Sequence, residues 1–207
     1  TLNTLVEYNL NYALPAIWLA SSTMILLLFD LFISRERKHW TPILALSFIT
    51  MSFVMTLFNF NPGLESETVL AGMFAADAFT GFLNLVALGT AFLTILLSTD
   101  YLKEIGTNHG EYYVLLLLST AGVMFMVAAN DLIVIFIALE LLSIPLYILA
   151  AFRATNPDYI SKQSSLIEVE QPGGDRHILL SQESGMKYFI LGAFSSAFLV
   201  YGFALLY

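Results

Sequence analysis

The sequence predicts an all-α, polytopic membrane protein, with six transmembrane helices in a single membrane domain over residues 1–207. Apolar side chains make up 58% of the chain and charged ones 12%, where soluble domains run near 45–50% and 25%. The apolar residues gather into repeated runs of the length that crosses a bilayer as helix, about 20 residues, and mean hydropathy is +0.78. The lysines and arginines outside those runs fall in alternate connections, the pattern a multi-pass chain acquires from the positive-inside rule.

The opening stretch TLNTLVEYNLNYALP carries Glu7 and no basic residue, a poor start for a signal peptide. The first span is expected over 13–33, with Asp30 near its inner end and Arg35, Glu36, Arg37 and Lys38 just beyond. Asp30 reads as an end-of-helix carboxylate near that basic loop. The second span, 40–60, is uncharged, and the connection after it carries Glu65 and Glu67. Asp77 stands at the mouth of the third span, 78–99, and reads as its cap. A loop around DYLKEIGTNHGE leads to the fourth span, 112–129. Asn130 and Asp131 make a short turn, so the fourth and fifth spans should be antiparallel neighbours. The fifth span covers 131–152, the polar connection 153–182 reads as a solvated loop, and the sixth span covers 183–207.

Arg35, Arg37, Lys38, Lys103, Arg153, Lys162 and Arg176 all lie in the first, third or fifth connection. Six alternating spans put those connections on one side, which the positive-inside rule makes the cytoplasm or the mitochondrial matrix, with the amino terminus outside. A net charge of −8 speaks against a nucleic-acid partner. Without cysteine the chain has no disulfide, no thiolate nucleophile and no cysteine-ligated iron–sulfur cluster. His39, His109 and His177 fall in separate connections with no metal-ligand spacing, so no metal site is expected.

The functional signal is concentrated in NDLIVIFIALELLSIPLYILAAF, residues 130–152. Glu140 sits mid-span, where inserting a charge costs about 2.5–3.5 kcal/mol. Pro145 withholds a backbone hydrogen bond from the carbonyl four residues earlier, that of Leu141. A carboxylate beside a weakened turn suits proton transfer; an inert internal charge pair is the bland alternative. The one basic residue within a span is Lys187, four residues after Glu183 and on the same helix face. Its stem either snorkels to the interface or carries the ammonium to a polar interior. Gly185, Gly192, Ala193, Ser195, Ser196 and Gly202 mark this last span as closely packed against protein. Glu140 and Lys187 should stand at levels roughly 12 Å apart, with a water or third polar group between them and Glu183 the nearer partner of Lys187. Ser143, Tyr147, Ser195 and Ser196 are candidate polar lining; packing is their alternative role.

LELLSIPLYILAAF at 139–152 and ESGMKYFILGAFSSAFLVYGFALLY at 183–207 resemble antiporter-like subunit N of respiratory complex I, called subunit 2 in mitochondria. MFAADAFTGFLNL at 73–85 and LLLLSTAGVMFMVAANDL at 115–132 extend the resemblance in order along the chain. It implies the fold of a subunit of about fourteen helices with inverted five-helix repeats, of which this chain would be the amino-terminal part. A start at Thr1 and an end within an apolar run fit a piece of a longer protein. Two departures stand out: Ala16 where the family commonly has an acid after the first-helix proline, and an insertion over about 159–180.

The resemblance further implies roles and partners. Glu140 matches the family's fifth-helix glutamate of the proton machinery, and Glu183 and Lys187 match the acidic and basic positions opening the sixth helix. The implied function is a share of a proton path in a proton-translocating NADH:quinone oxidoreductase, in a bacterial inner membrane or the mitochondrial inner membrane. NADH, FMN, iron–sulfur clusters and quinone would then be handled by other subunits, with no cofactor on this chain. Its partners would be neighbouring antiporter-like and small membrane subunits and the lipid bilayer. The alternatives are a subunit of a multisubunit cation/proton antiporter, and a structural or assembly subunit.

Overall fold

A lipid-spanning helix is apolar on every side, because protein and acyl chains solvate its faces alike; polar residues and glycines then decide where helices meet. The computed structural model describes residues 10–32, 40–62, 67–70, 72–105, 110–152 and 174–206. After a single 3-10 turn, Leu10–Tyr12, come helices α1 (Leu14–Phe32) and α2 (Trp40–Asn59). A hairpin follows, β1 (Glu67–Val69) and β2 (Phe74–Ala76). Then come α3 (Ala78–Ile105), α4 (Gly110–Ala128), α5 (Leu132–Ala151) and α6 (Gly174–Leu206). These six helices are each long and apolar enough to cross a membrane.

Helix α4 is the centre. It packs on α1, α2, α3 and α5, whereas α6 packs chiefly on α5. Accordingly 44% of the apolar window of α4 is buried and none of that of α6. The core joins Leu19 and Leu26 of α1, Ile49 of α2, Leu88 and Ile95 of α3, and Leu117 and Met124 of α4. With Ala45, Ala91 and Ala121 between them, these recur at three-, four- and seven-residue intervals, one stripe per helix. Buried hydroxyls within the stripes are satisfied locally: Ser22 donates to the Trp18 carbonyl, Thr56 to that of Ser52 and Thr120 to that of Leu116. Ser52 reaches across instead, donating to the Pro15 carbonyl of α1 at 2.9 Å.

Two findings depart from the sequence reading. Helix α6 begins at Gly174, so residues 174–182, expected as the end of a loop, are already helical. Hydropathy locates where a helix enters lipid, and a polar turn outside the membrane can continue it. Residues 153–173 of that connection, with most of the expected insertion, lie outside the described residues. The second departure is the β1–β2 hairpin inside the 61–77 connection, with Val69 opposite Phe74. Its turn carries Leu70 at φ 53° and Gly72 at φ +86°. Asn130 ties the hairpin to the α4–α5 turn, donating from its backbone to the Met73 carbonyl and from its side chain to the Gly72 carbonyl, both at 2.8 Å.

Both expected interfacial carboxylates have structural posts. Asp77 accepts from the Thr80 N–H at 2.7 Å and caps α3. Asp30 is buried and accepts the Thr41 hydroxyl at 3.1 Å, joining the end of α1 to the start of α2. It also abuts Gly110, the first residue of α4, so closely that a Cβ there would collide with the carboxylate. A negative group at a helix amino terminus is favourable, and Asp30 fixes three helices at one level.

Candidate functional site

Asp131 opens α5, its side chain accepting the Ile133 N–H at 2.8 Å. From there Glu140, Ser143, Tyr147 and Ala151 recur at three- and four-residue spacing, so they share a face. That face meets α6 in an antiparallel ladder. Ala151 packs on Gly185, Tyr147 on Gly192, and Glu140 receives the hydroxyl of Ser196 at 2.5 Å. At the same end as Ala151, Ser184 donates to the Ala150 carbonyl at 3.4 Å. The glycines are there for space: a Cβ at Gly185 would strike that of Ala151, and one at Gly192 the Tyr147 hydroxyl. Tyr188 and Phe189 hold the Tyr147 ring edge-on, at centroid distances of 4.8 and 6.0 Å.

Helix α4 closes on the other side of α5. A Cβ at Gly122 would lie 2.5 Å from the Leu142 nitrogen and 2.9 Å from the Leu141 carbonyl carbon. The two backbones thus touch one turn before buried Pro145, at the carbonyl that this proline leaves without its helical donor. The half-buried carboxylate of Glu140, bonded to the Ser196 hydroxyl on the α6 side, is thus one residue before the released carbonyl of Leu141, whose backbone meets α4. A hydroxyl donates and accepts at once, so Ser196 can hand a proton to or from Glu140 while remaining hydrogen-bonded.

Lys187 pairs with Glu183 as expected, on a face of α6 turned away from Glu140. Ser196 marks the level of Glu140 on α6, and Lys187 lies nine residues earlier, about 13 Å along the axis, close to the separation the sequence suggests. Nine residues is also two and a half turns. Lys187 therefore faces away from α5, with its side chain 74% exposed and its Nζ 2.5 Å from Glu183. Among the described residues Glu140 is bonded to Ser196, and Lys187 and Glu183 form a separate pair on the side of α6 away from α5. Of the other expected lining residues, Ser143 is half-buried on α5 and Ser195 is exposed. Among the described residues none lies within 4 Å of a Cβ at Gly202. Sequence reasoning missed Gly122 and Ser184; small residues facing a proline-containing helix were the available signal. Among the described residues no cluster of His, Cys, Asp or Glu suits a metal.

Fold and site together define a multi-pass α-helical membrane protein that holds a carboxylate inside its helix assembly. No protein-family model matches the chain. It is 34% identical over 203 residues to NADH-quinone oxidoreductase subunit N of Herminiimonas arsenicoxydans, covering 96% of this chain and 36% of that protein. To the protein of the same name from Trichlorobacter lovleyi it is 35% identical over 199 residues, again 96% of this chain and 36% of the relative. The chain is thus homologous to subunit N proteins over nearly its whole length while spanning about a third of theirs. In fold it matches a chain of respiratory complex I from Thermus thermophilus with bound aureothin, at TM-score 0.68 and 23% identity, over 93% of this chain and 36% of that one.

Proposed function

We propose that this chain forms part of a membrane-arm subunit of a proton-translocating NADH:quinone oxidoreductase, and that Glu140 carries a proton within it. The observation that carries the role of Glu140 is its hydrogen bond with Ser196 across the α5–α6 interface; the homology to subunit N proteins supports the setting. Electron transfer and its cofactors belong to other subunits, and this chain contributes the polar path alone. Neighbouring membrane subunits and lipid are its partners. The basic connections face the cytoplasm or matrix and the hairpin faces outward, as the distribution of Lys and Arg supports.

Glu140 and Ser196 form the short step, and the released Leu141 carbonyl is an acceptor that can hold a water beside it, with Pro145 shaping the turn. Ser143 and then Tyr147 follow along the same face, toward the basic side. Lys187 and Glu183 act on the face of α6 away from α5, where moving or neutralising the ammonium changes the field on the path. The deciding experiment is Glu140→Gln in the assembled complex, read as proton pumping and quinone reduction in vesicles. Assembly should be retained and most pumping lost. Full pumping by an assembled Glu140→Gln complex would remove Glu140 from the path.

A further inference from the structure

At the hairpin end of the molecule, well away from the α5–α6 interface, a cavity opens between α1, α2, α3, α4 and the hairpin. Its polar lining comes from Thr56 and Asn59 of α2 and from the cap and first turns of α3. Asp77, Thr80 and Asn84 follow one another at three- and four-residue spacing and so line one face of that helix. Asn84 is the deepest of the three and only 7% exposed. Its Oδ1 is fully buried and accepts no hydrogen bond from any described residue. An orphaned buried acceptor costs about 1–3 kcal/mol, and polar cavities of sufficient size relieve that cost with bound water. This one has room for a few waters, and no basic side chain on its wall competes for the acceptor.

The same helix face also fixes where the cavity stops. Four residues beyond Asn84 comes Leu88, fully buried, and then Ala91 and Ile95 of the apolar core. Met124 of α4, also fully buried, lines the inner wall. The polar stretch from Asp77 to Asn84 is seven residues, about 10 Å of helix. Glu140 is not among the lining residues.

We propose that this cavity is a water-holding antechamber, in which bound water donates to Asn84 Oδ1, and that it ends blind at Leu88 and Met124. Water from the hairpin side thereby enters the four-helix core region without joining the Glu140 path. The test is radiolytic hydroxyl-radical footprinting of the full-length protein in its complex, since radicals born from bound water label the buried side chains beside it. After correction for intrinsic reactivity, Met124 should be labelled at least several-fold more than Leu117 and Ile95, which are equally buried. In Asn84→Leu the Met124 labelling should fall several-fold. Labelling of Met124 no higher than that of Leu117 would mean a dry cavity and overturn the proposal. Equal labelling of Met124, Leu117 and Ile95 above background would mean a through path and overturn its blind end. Unchanged Met124 labelling in a folded Asn84→Leu protein would overturn the role of Asn84. Should that variant not assemble, the wild-type comparison of Met124 with Leu117 still decides whether water is present.

Discussion

A carboxylate that accepts from a serine differs from one paired with a lysine in what it can pass on. An ammonium fixes the carboxylate as an anion, whereas a hydroxyl tolerates both protonation states and reverses its own hydrogen bond as they change. That is the reason to look to Ser196, not Lys187, for the immediate partner of Glu140. Replacing Ser196 by Ala should slow pumping by about tenfold, the rate equivalent of roughly 1.4 kcal/mol, which a hydrogen bond to a charged group can supply. Ser196→Thr keeps the hydroxyl and should recover most of it. Pumping assays on both variants beside Glu140→Gln settle the order; an unimpaired Ser196→Ala protein would reduce Ser196 to packing. Asp30 makes a contrasting case, a buried carboxylate that joins α1 to α2 through Thr41 and abuts the start of α4. Asp30→Ala should lower thermal stability by about 1–3 kcal/mol through the unpaired Thr41 and the lost α4 contact, with proton transfer in the folded fraction unaffected.

At the scale of elements, the glycines set how closely helices approach, and the costs are steric. Gly122 lets α4 lie directly against the α5 backbone beside Pro145. Gly122→Val should push the helices apart and destabilise the protein by about 1–3 kcal/mol. It should also impair pumping beyond the stability loss, because the Leu141 turn moves with it; melting and pumping curves on one preparation separate the two effects. Much of this level was legible in the sequence. The six spans, the antiparallel α4–α5 pair, the Asp77 cap and the close-packed character of α6 around Gly185 and Gly192 all follow from length, charge and small residues. The direction that Lys187 faces was not legible. Beyond Lys187, helix α6 carries large apolar side chains on every side, so no hydrophobic stripe tells the protein side from any other. The hairpin was hidden for a different reason: strands of three residues are too short for alternation to register, and its anchor on Asn130 is a tertiary contact.

For the whole molecule, the arrangement of helices and the distribution of charge make independent statements about topology. Alternating helices put the hairpin and the α4–α5 turn at one end, with the α1–α2, α3–α4 and α5–α6 connections at the other. The seven basic residues outside the spans all belong to the second group of connections. Since residues 1–207 contain no cysteine, single introduced cysteines can report sidedness without a background from this stretch. Ser34→Cys and Ser164→Cys, in the first and fifth connections, should react with a membrane-impermeant maleimide only from the cytoplasmic or matrix face. Ser66→Cys, beside the hairpin, should react only from the opposite face. Reaction of Ser34→Cys and Ser164→Cys from different faces would break the six-helix count, since an even number of crossings lies between them. Reaction of all three with the faces exchanged would keep the fold and reverse its orientation, placing the water-holding cavity beside Asn84 on the cytoplasmic or matrix side.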